Sequence, residues 1–469
     1  MLTYSFADIG SDSLYEHLYK CIKNDILQGV LAPGGRLPSK RSFAKHLNIS
    51  TITVENSYAQ LLAEGYIYSI AKKGYFVADI TNSPKVMPAP SRAYPELTDD
   101  KPAYYADFLS NQTNPANFPF SIWAKLMREI ISEKSEELMT NSPSGGSLEL
   151  RNAIAGHLLA FRGMRVSPRQ IIVGAGTEYL YGLLIQLLGH DKVYAVEDPG
   201  YKKVAQIYRS NHVSCLHIPM DRQGILIPSL EESGARVVHI SPSHHYPTGI
   251  ITPISRRYEL LGWASRSKDR YIIEDDYDSE FRLLGRPIPS LQSIDVMEKV
   301  VYINTFSKSL APTIRIGYMV LPEHLVEKFY RELSFYSCTV STFEQYTLAK
   351  FIRDGHFERH INKMRSFYRI QRDLLLECIR TSPLSGSVTI TEEDAGLHFL
   401  MEVKTKLTDE DILRKAEQEG IRIGCISQFY HNPAPDLEHI LVMNYSGIET
   451  DKMGEAVGRL SRCISSKQT

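Results

Sequence analysis

The stretch Val300-Val301-Tyr302-Ile303-Asn304-Thr305-Phe306-Ser307-Lys308-Ser309-Leu310-Ala311-Pro312-Thr313-Ile314-Arg315-Ile316-Gly317 decides how the larger part of this chain is read. Its first four residues form an apolar, largely β-branched run, which predicts a buried strand. A primary amine, Lys308, then stands just past the carboxyl end of that strand, with Arg315 seven residues further on. This arrangement suits a Schiff-base lysine beside a cation that clamps a phosphate.

Working outward, the runs Ile171-Val173, Val193-Val196, Val237-Ile240, Tyr271-Ile273 and Ile316-Val320 read as further strands, separated by helical stretches. Such βαβα alternation predicts a mostly parallel sheet with helices on both faces. After about residue 324 the pattern changes to long helices and isolated strands (His398-Val403, Ile440-Tyr445), which predicts a smaller C-terminal subdomain over about 324–469. Ligands of open parallel sheets bind beyond the carboxyl ends of the strands, and the candidate site residues fall there. Gly174-Ala175-Gly176-Thr177 is a glycine turn opening into a helix, which offers N–H groups and a hydroxyl to an anion. Glu197-Asp198-Pro199-Gly200-Tyr201 sets Tyr201 where it can cover a flat ring. Glu274-Asp275-Asp276-Tyr277-Asp278 supplies carboxylates, one of which can face a ring nitrogen and keep a pyridinium protonated. Thr305 and Ser307 precede the lysine. Taken singly, each has an ordinary alternative: plain connection, a packed tyrosine, helix caps, a solvated lysine.

Upstream, residues 81–105 hold five prolines and little apolar periodicity, which predicts a stiff, extended linker. Before it, Leu14, Leu18, Ile22 and Ile26 recur at helical spacing up to Gly29. Ser39 caps a second helix burying Phe43 and Leu47, Asn48 breaks it, and Ser50 caps a third with Val54, Tyr58 and Leu61 on one face. Tyr66-Ile67-Tyr68 and Tyr75-Phe76-Val77 then alternate as a hairpin around Lys72-Lys73-Gly74. Three helices and a basic hairpin make a winged helix-turn-helix over residues 1–80.

With 469 residues, 43% hydrophobic and 23% charged, the chain has the composition of a soluble multidomain protein. Its formal net charge of -1 argues against general coating of nucleic acid, though a small basic reading head is compatible with it. Six scattered cysteines without a Cys-x-x-Cys pair speak against a zinc site or a disulfide framework and fit a reducing cytoplasm. Neither a signal peptide nor a membrane-spanning segment is expected.

Together, the residues of the strand ends resemble the fold-type-I pyridoxal-phosphate (PLP) aminotransferases over roughly 106–469. The resemblance implies that Lys308 forms the internal aldimine, Asp275 pairs with the pyridine nitrogen, Tyr277 bonds the phenolic oxygen and Tyr201 stacks on the ring. It implies that Ala175, Gly176, Thr177, Thr305 and Arg315 hold the phosphate, with Ser307 beside them. The first eighty residues, from Gly34-Gly35-Arg36-Leu37-Pro38-Ser39-Lys40-Arg41 to Tyr75-Phe76-Val77, resemble the GntR winged helix. The combination is similar to the MocR/GabR subfamily, a GntR-type reader fused to an aminotransferase-like effector domain. Ser241-Pro242-Ser243-His244-His245-Tyr246-Pro247-Thr248-Gly249 resembles that subfamily's version of the aminotransferase Asn-Pro-x-x-Pro-x-Gly loop, without a clear asparagine equivalent.

Two departures matter. Where the GntR pattern has arginine this chain has Thr51, and a glycine usual near Lys72 is missing. Base reading is therefore expected from Thr51, Thr53 and their neighbours. Arg36, Lys40, Arg41, Lys45, Lys72 and Lys73, with Ser39, Ser50 and Gly74, complete the DNA-binding set, the cations gripping phosphates. Residues 1–80 hold eight Lys/Arg against seven Asp/Glu, so specificity cannot come from bulk charge. Second, the arginine with which aminotransferases clamp a substrate carboxylate is replaced by Val442, a loss worth several kcal/mol of positioning. The expectation is a homodimeric regulator that binds operator DNA and senses PLP, an amine or an amino acid, without physiological turnover. A competent aminotransferase with an appended DNA-binding module is the alternative.

Overall fold

The computed structural model describes residues 2–6, 9, 12–80, 104–110, 114–283, 289–394, 396–431 and 437–464. They fall into two compact units, one within residues 1–100 and one within 101–469. Most of the expected linker lies outside the described residues. Its last two residues, Tyr104 and Tyr105, already belong to the second unit. The Tyr105 N–H donates to the Gly420 carbonyl (2.7 Å) and the Arg459 guanidinium covers its ring.

In the first unit, helices α1 (Leu14–Leu27), α2 (Lys40–Leu47) and α3 (Thr51–Ala63) precede an antiparallel hairpin of β1 (Ile67–Ile70) and β2 (Gly74–Val77). The Ser39 hydroxyl accepts the Ser42 N–H, Ser50 accepts that of Thr53, and Asn48 ends α2 in the left-handed region at φ 54°, as the capping rules require. The core joins Leu18, Ile22, Phe43, Val54, Tyr58, Leu61, Ile67 and Val77. Leu14, read as part of the α1 stripe, is 43% exposed instead; it opens the helix, one turn before the packed face begins.

The second unit is built on an eight-stranded sheet in the order Ile171–Gly174, Gly317–Val320, Val300–Thr305, Tyr271–Asp275, Val237–Ile240, Val193–Asp198, Ser214–Asp221, Gly224–Ile225. The five strands from Val300–Thr305 to Ser214–Asp221 are parallel. Gly317–Val320 runs antiparallel to both neighbours, because the eleven residues after Thr305 are too few for a crossover to a parallel strand. Alternate strand residues bury against opposite layers: Val237, Ile273 and Val301 in one core, Val238, Ile272 and Val300 in the other. The helix Glu323–Glu332 still packs on this sheet through Leu325, Val326 and Phe329. The change of architecture therefore falls after the expected boundary near 324. Beyond it, a four-stranded antiparallel sheet of Val388–Thr391, His398–Val403, Ile440–Asn444 and Gly424–Cys425 forms the smaller layer. No helix among the described residues is long and apolar enough to cross a membrane.

Candidate functional site

Parallel strands end on one edge of a sheet, so neighbouring strands deliver their following residues to one place. Here that place is a cavity of about 650 Å³. Thr177, Tyr201, Asp275, Tyr277, Thr305, Ser307, Lys308 and Arg315 all line it. Thr305 sets the lysine: its hydroxyl accepts the Ser307 N–H (3.1 Å) and donates to the Ile316 carbonyl (3.2 Å), capping the short helix Phe306–Ser309 that carries Lys308. Burial lowers the Lys308 pKa, against the opposing charges of Asp278 and Asp275, which enlarges the fraction of free amine at neutral pH.

Asp275 is held by two side chains absent from the sequence reading. Its Oδ2 accepts from Tyr181 Oη (2.5 Å) and faces His239 Nε2 (3.3 Å). Tyr208 Oη lies 2.7 Å from His239 Nδ1; a hydroxyl donating there leaves Nε2–H for the carboxylate. Asp275 Oδ1 is buried with no hydrogen-bond partner, as is Ser307 Oγ. A buried carboxylate oxygen without a donor is costly unless a ligand supplies one. A ring N–H for Asp275 and a phosphate for Ser307, Thr177 and Arg315 meet those needs, so the residues present fit PLP.

Arg315 takes a left-handed backbone (φ 48°), and its guanidinium lies against Gly176. A Cβ there would sit 2.6 Å from Arg315 Nη2, and Gly176 itself has φ +87°, so that glycine is required. Neither Ala175 nor Gly176 forms part of the cavity wall, and the Ala175 N–H is committed to Thr339 Oγ1 (2.9 Å). The structure therefore does not bring these two residues to the cavity with the other residues expected at the phosphate. Tyr201 is 54% exposed and meets Tyr246 edge-on. Tyr277 Oη lies 3.3 Å from His244 Nδ1, which also faces Asp278 Oδ2 at 2.8 Å. Burial, then Asp278, keeps the Tyr277 hydroxyl protonated.

Val442 is fully buried in a small apolar cluster with Leu400 and Ile426, against Tyr246 and Phe429. Arg422 pairs instead with Asp107 Oδ2 (3.2 Å) and Ser110 Oγ (2.9 Å), and is not part of the wall.

Two further wall residues, Glu197 and His245, form a buried pair (3.5 Å) that burial keeps uncharged. Burial raises the Glu197 carboxyl from 4.5 to about 8 against the Ser241 N–H, and lowers His245 from 6.5 to about 3. Folded Glu197 retains a proton that the unfolded chain releases, so its contribution to stability falls as pH rises from about 4.5 to about 8. His245 acts in the opposite sense between about 3 and 6.5. The two offset each other where the windows overlap, leaving a loss from about 6.5 to about 8. Glu197→Gln is expected to remove that loss. Thermal midpoints at the two ends of this window check it, and an equal pH dependence in variant and native protein contradicts it.

The winged helix places Arg36, Arg41, Lys45, Lys72 and Lys73 on its exposed surface. Lys72 holds the turn at φ 62°, the conformation a glycine would adopt freely, and Gly74 beside it takes φ +109°, in the region that favours glycine. Lys40 is engaged within the unit: its Nζ donates to Glu55 Oε1 (2.6 Å) and lies over the Tyr75 ring. Arg41→Ala or Lys73→Ala is expected to weaken DNA binding across all sequences and reduce the salt slope by about 1. Affinity measured against salt concentration checks this; a changed base preference at an unaltered slope contradicts it.

Residues 14–77 match the family model for bacterial regulatory proteins, gntR family. Over 450 residues the chain is 37% identical to the uncharacterized HTH-type transcriptional regulator YdeL of Bacillus subtilis (strain 168), covering 95% of this chain and 96% of that protein. It is 32% identical over 466 residues to the probable rhizopine catabolism regulatory protein MocR of Rhizobium meliloti, covering 95% and 93%. The chain belongs to the MocR subfamily of GntR regulators. As in that subfamily, the second unit has the aminotransferase fold: it is similar to the kynurenine aminotransferase of Pyrococcus horikoshii, with TM-score 0.66 and 26% identity over 76% of this chain and 90% of that one. This MocR-type chain is thus a transcriptional regulator with an aminotransferase-like domain, and its GntR unit implies DNA binding.

Proposed function

We propose that this MocR-type regulator binds operator DNA through the winged helix and senses PLP by covalent attachment at Lys308, or a small amine or amino acid that would take the lysine's place on the bound PLP and release the Lys308 amine. The observation that carries the reading is the unpartnered, buried Asp275 Oδ1 in the cavity that Lys308 also lines. When bound, PLP supplies a carbonyl carbon for an amine and an electron-withdrawing ring. The chain supplies the rest. Asp275, oriented by Tyr181 and His239, holds a proton on the ring nitrogen. Tyr277 offers a hydroxyl to the phenolic oxygen, Tyr201 covers the ring, and Thr177, Ser307 and Arg315 receive the phosphate. Ligand acts on DNA binding only through different affinity for two arrangements of the reader heads. A homodimer presents two such heads to two half-sites, and the site of action is the cytoplasm.

A second reading, a working aminotransferase, is favoured by the complete set of Lys308, Asp275 and Tyr277. The apolar cluster around Val442 weighs against it, because a substrate carboxylate meets no arginine there. Steady-state amino transfer over a panel of amino donors and keto acids separates the two. Slow or absent turnover, with a spectral change on adding an amine, is the expected result; rapid multiple turnover overturns the regulator-only reading.

A further inference from the structure

Helix α3 of the winged helix carries no Lys or Arg. Helix α3 buries Val54, Ser57, Tyr58 and Leu61, so its first two turns present Thr51, Ile52, Glu55 and Asn56 outward. Thr53 is spent on the helix start: its Oγ1 lies 2.8 Å from Ser50 Oγ, which also accepts the Thr53 N–H at 3.0 Å. The charge of Glu55 is answered by Lys40 at 2.6 Å. Ile52, by contrast, is 68% exposed. It is an apolar side chain held into water near the N-terminus of the second helix of a helix-turn-helix, where side chains meet base edges. Asn56, one turn on and on the same side, is exposed, with no hydrogen bond to its amide among the described residues.

We infer that Ile52 covers the methyl group of a thymine in the major groove and that Asn56 reads an adenine within two base-pair steps of it; the inference rests on the operator-binding reading above. Thymine's methyl is the apolar feature of the major-groove edge, and the N6 donor and N7 acceptor of adenine match a carboxamide. Four residues of helix advance about 6 Å, close to two steps of about 3.4 Å. Exposed isoleucine surface gains free energy only where it leaves water, and phosphates offer no such place. Sequence choice then lies with an uncharged pair, while Arg41, Lys45 and Lys73 supply a sequence-independent grip.

The test uses the full-length protein, with and without added PLP, to select its preferred operator from a randomised duplex pool. Each thymine of that operator is then replaced in turn by deoxyuridine, which removes only the methyl. Affinity is expected to fall about fourfold at one thymine per half-site, the effect of one methyl-sized group losing its burial. Ile52→Ala should bind the thymine and deoxyuridine duplexes alike. Asn56→Ala, put through the same selection, should lose the adenine preference beside that thymine. Equal affinity of the native protein for every deoxyuridine duplex, with specific binding retained, overturns the thymine assignment and leaves the DNA-binding reading standing. An adenine preference that survives in Asn56→Ala overturns the second assignment. Failure to enrich any operator overturns the DNA-binding reading itself, and this inference with it.

Discussion

Lys308→Ala is expected to abolish covalent capture of PLP while leaving a folded protein that still binds DNA. The native protein should turn yellow with PLP, and borohydride reduction followed by peptide mapping should place one pyridoxyl group on Lys308. The variant should remain colourless and unlabelled. The side chain lines an open cavity, and its lowered pKa reflects burial without a carboxylate bonded to it among the described residues. Removing it therefore breaks no internal ion pair and should cost little stability. Labelling of another lysine in the native protein, or undiminished labelling of the variant, contradicts the assignment.

Arg162→Ala should have the largest effect on stability, about 3–5 kcal/mol, the usual result of removing one partner from a buried ion pair. Arg162 closes the helix Leu148–Arg162, and its guanidinium bonds Asp276 Oδ2 through Nε (3.1 Å) and Nη2, with both side chains almost wholly buried. Tyr302 Oη adds a donor at 2.6 Å. Burial alone would push the Asp276 carboxyl up; Arg162 reverses this and holds it below the usual range. Glu274 and Glu280, both buried, are pushed up to about 7, first by burial and then by the charge of Asp276. Without Arg162 the strand end that presents Asp275 would carry an uncompensated charge. Denaturant unfolding of native and variant protein measures the difference, and a loss below about 1 kcal/mol would show that the pair is not structural. Arg162→Met combined with Asp276→Leu should recover much of the loss, since it leaves no unpaired charge.

The site residues that could be read from the sequence are those following strands. Lys308, Asp275, Tyr277 and Tyr201 each come just after an apolar run, and local order is enough to place them on one sheet edge. Tyr181 and His239 lie inside elements, and their role depends on which strand neighbours which. His239 reaches Asp275 because Val237–Ile240 pairs with Tyr271–Asp275, and Tyr181 because it lies one helical turn beyond Thr177. The turn was visible as spacing; the strand order was not. The strand Ser214–Asp221 has no apolar run to mark it, because Ser214, His217, Pro219 and Asp221 interrupt its sequence. In the winged helix the caps were legible, since Ser39, Asn48 and Ser50 act locally. The Lys40–Glu55 pair joins two helices, and sequence spacing alone does not reveal it.

The central claim is that one covalent event at Lys308 changes how the winged helix holds DNA. Its most direct test is the operator-binding isotherm and footprint of the native protein and of Lys308→Ala, each with and without PLP. The account predicts that PLP shifts the affinity or the footprint of the native protein and leaves those of the variant unchanged. A native protein labelled at Lys308 whose isotherm and footprint do not move contradicts it.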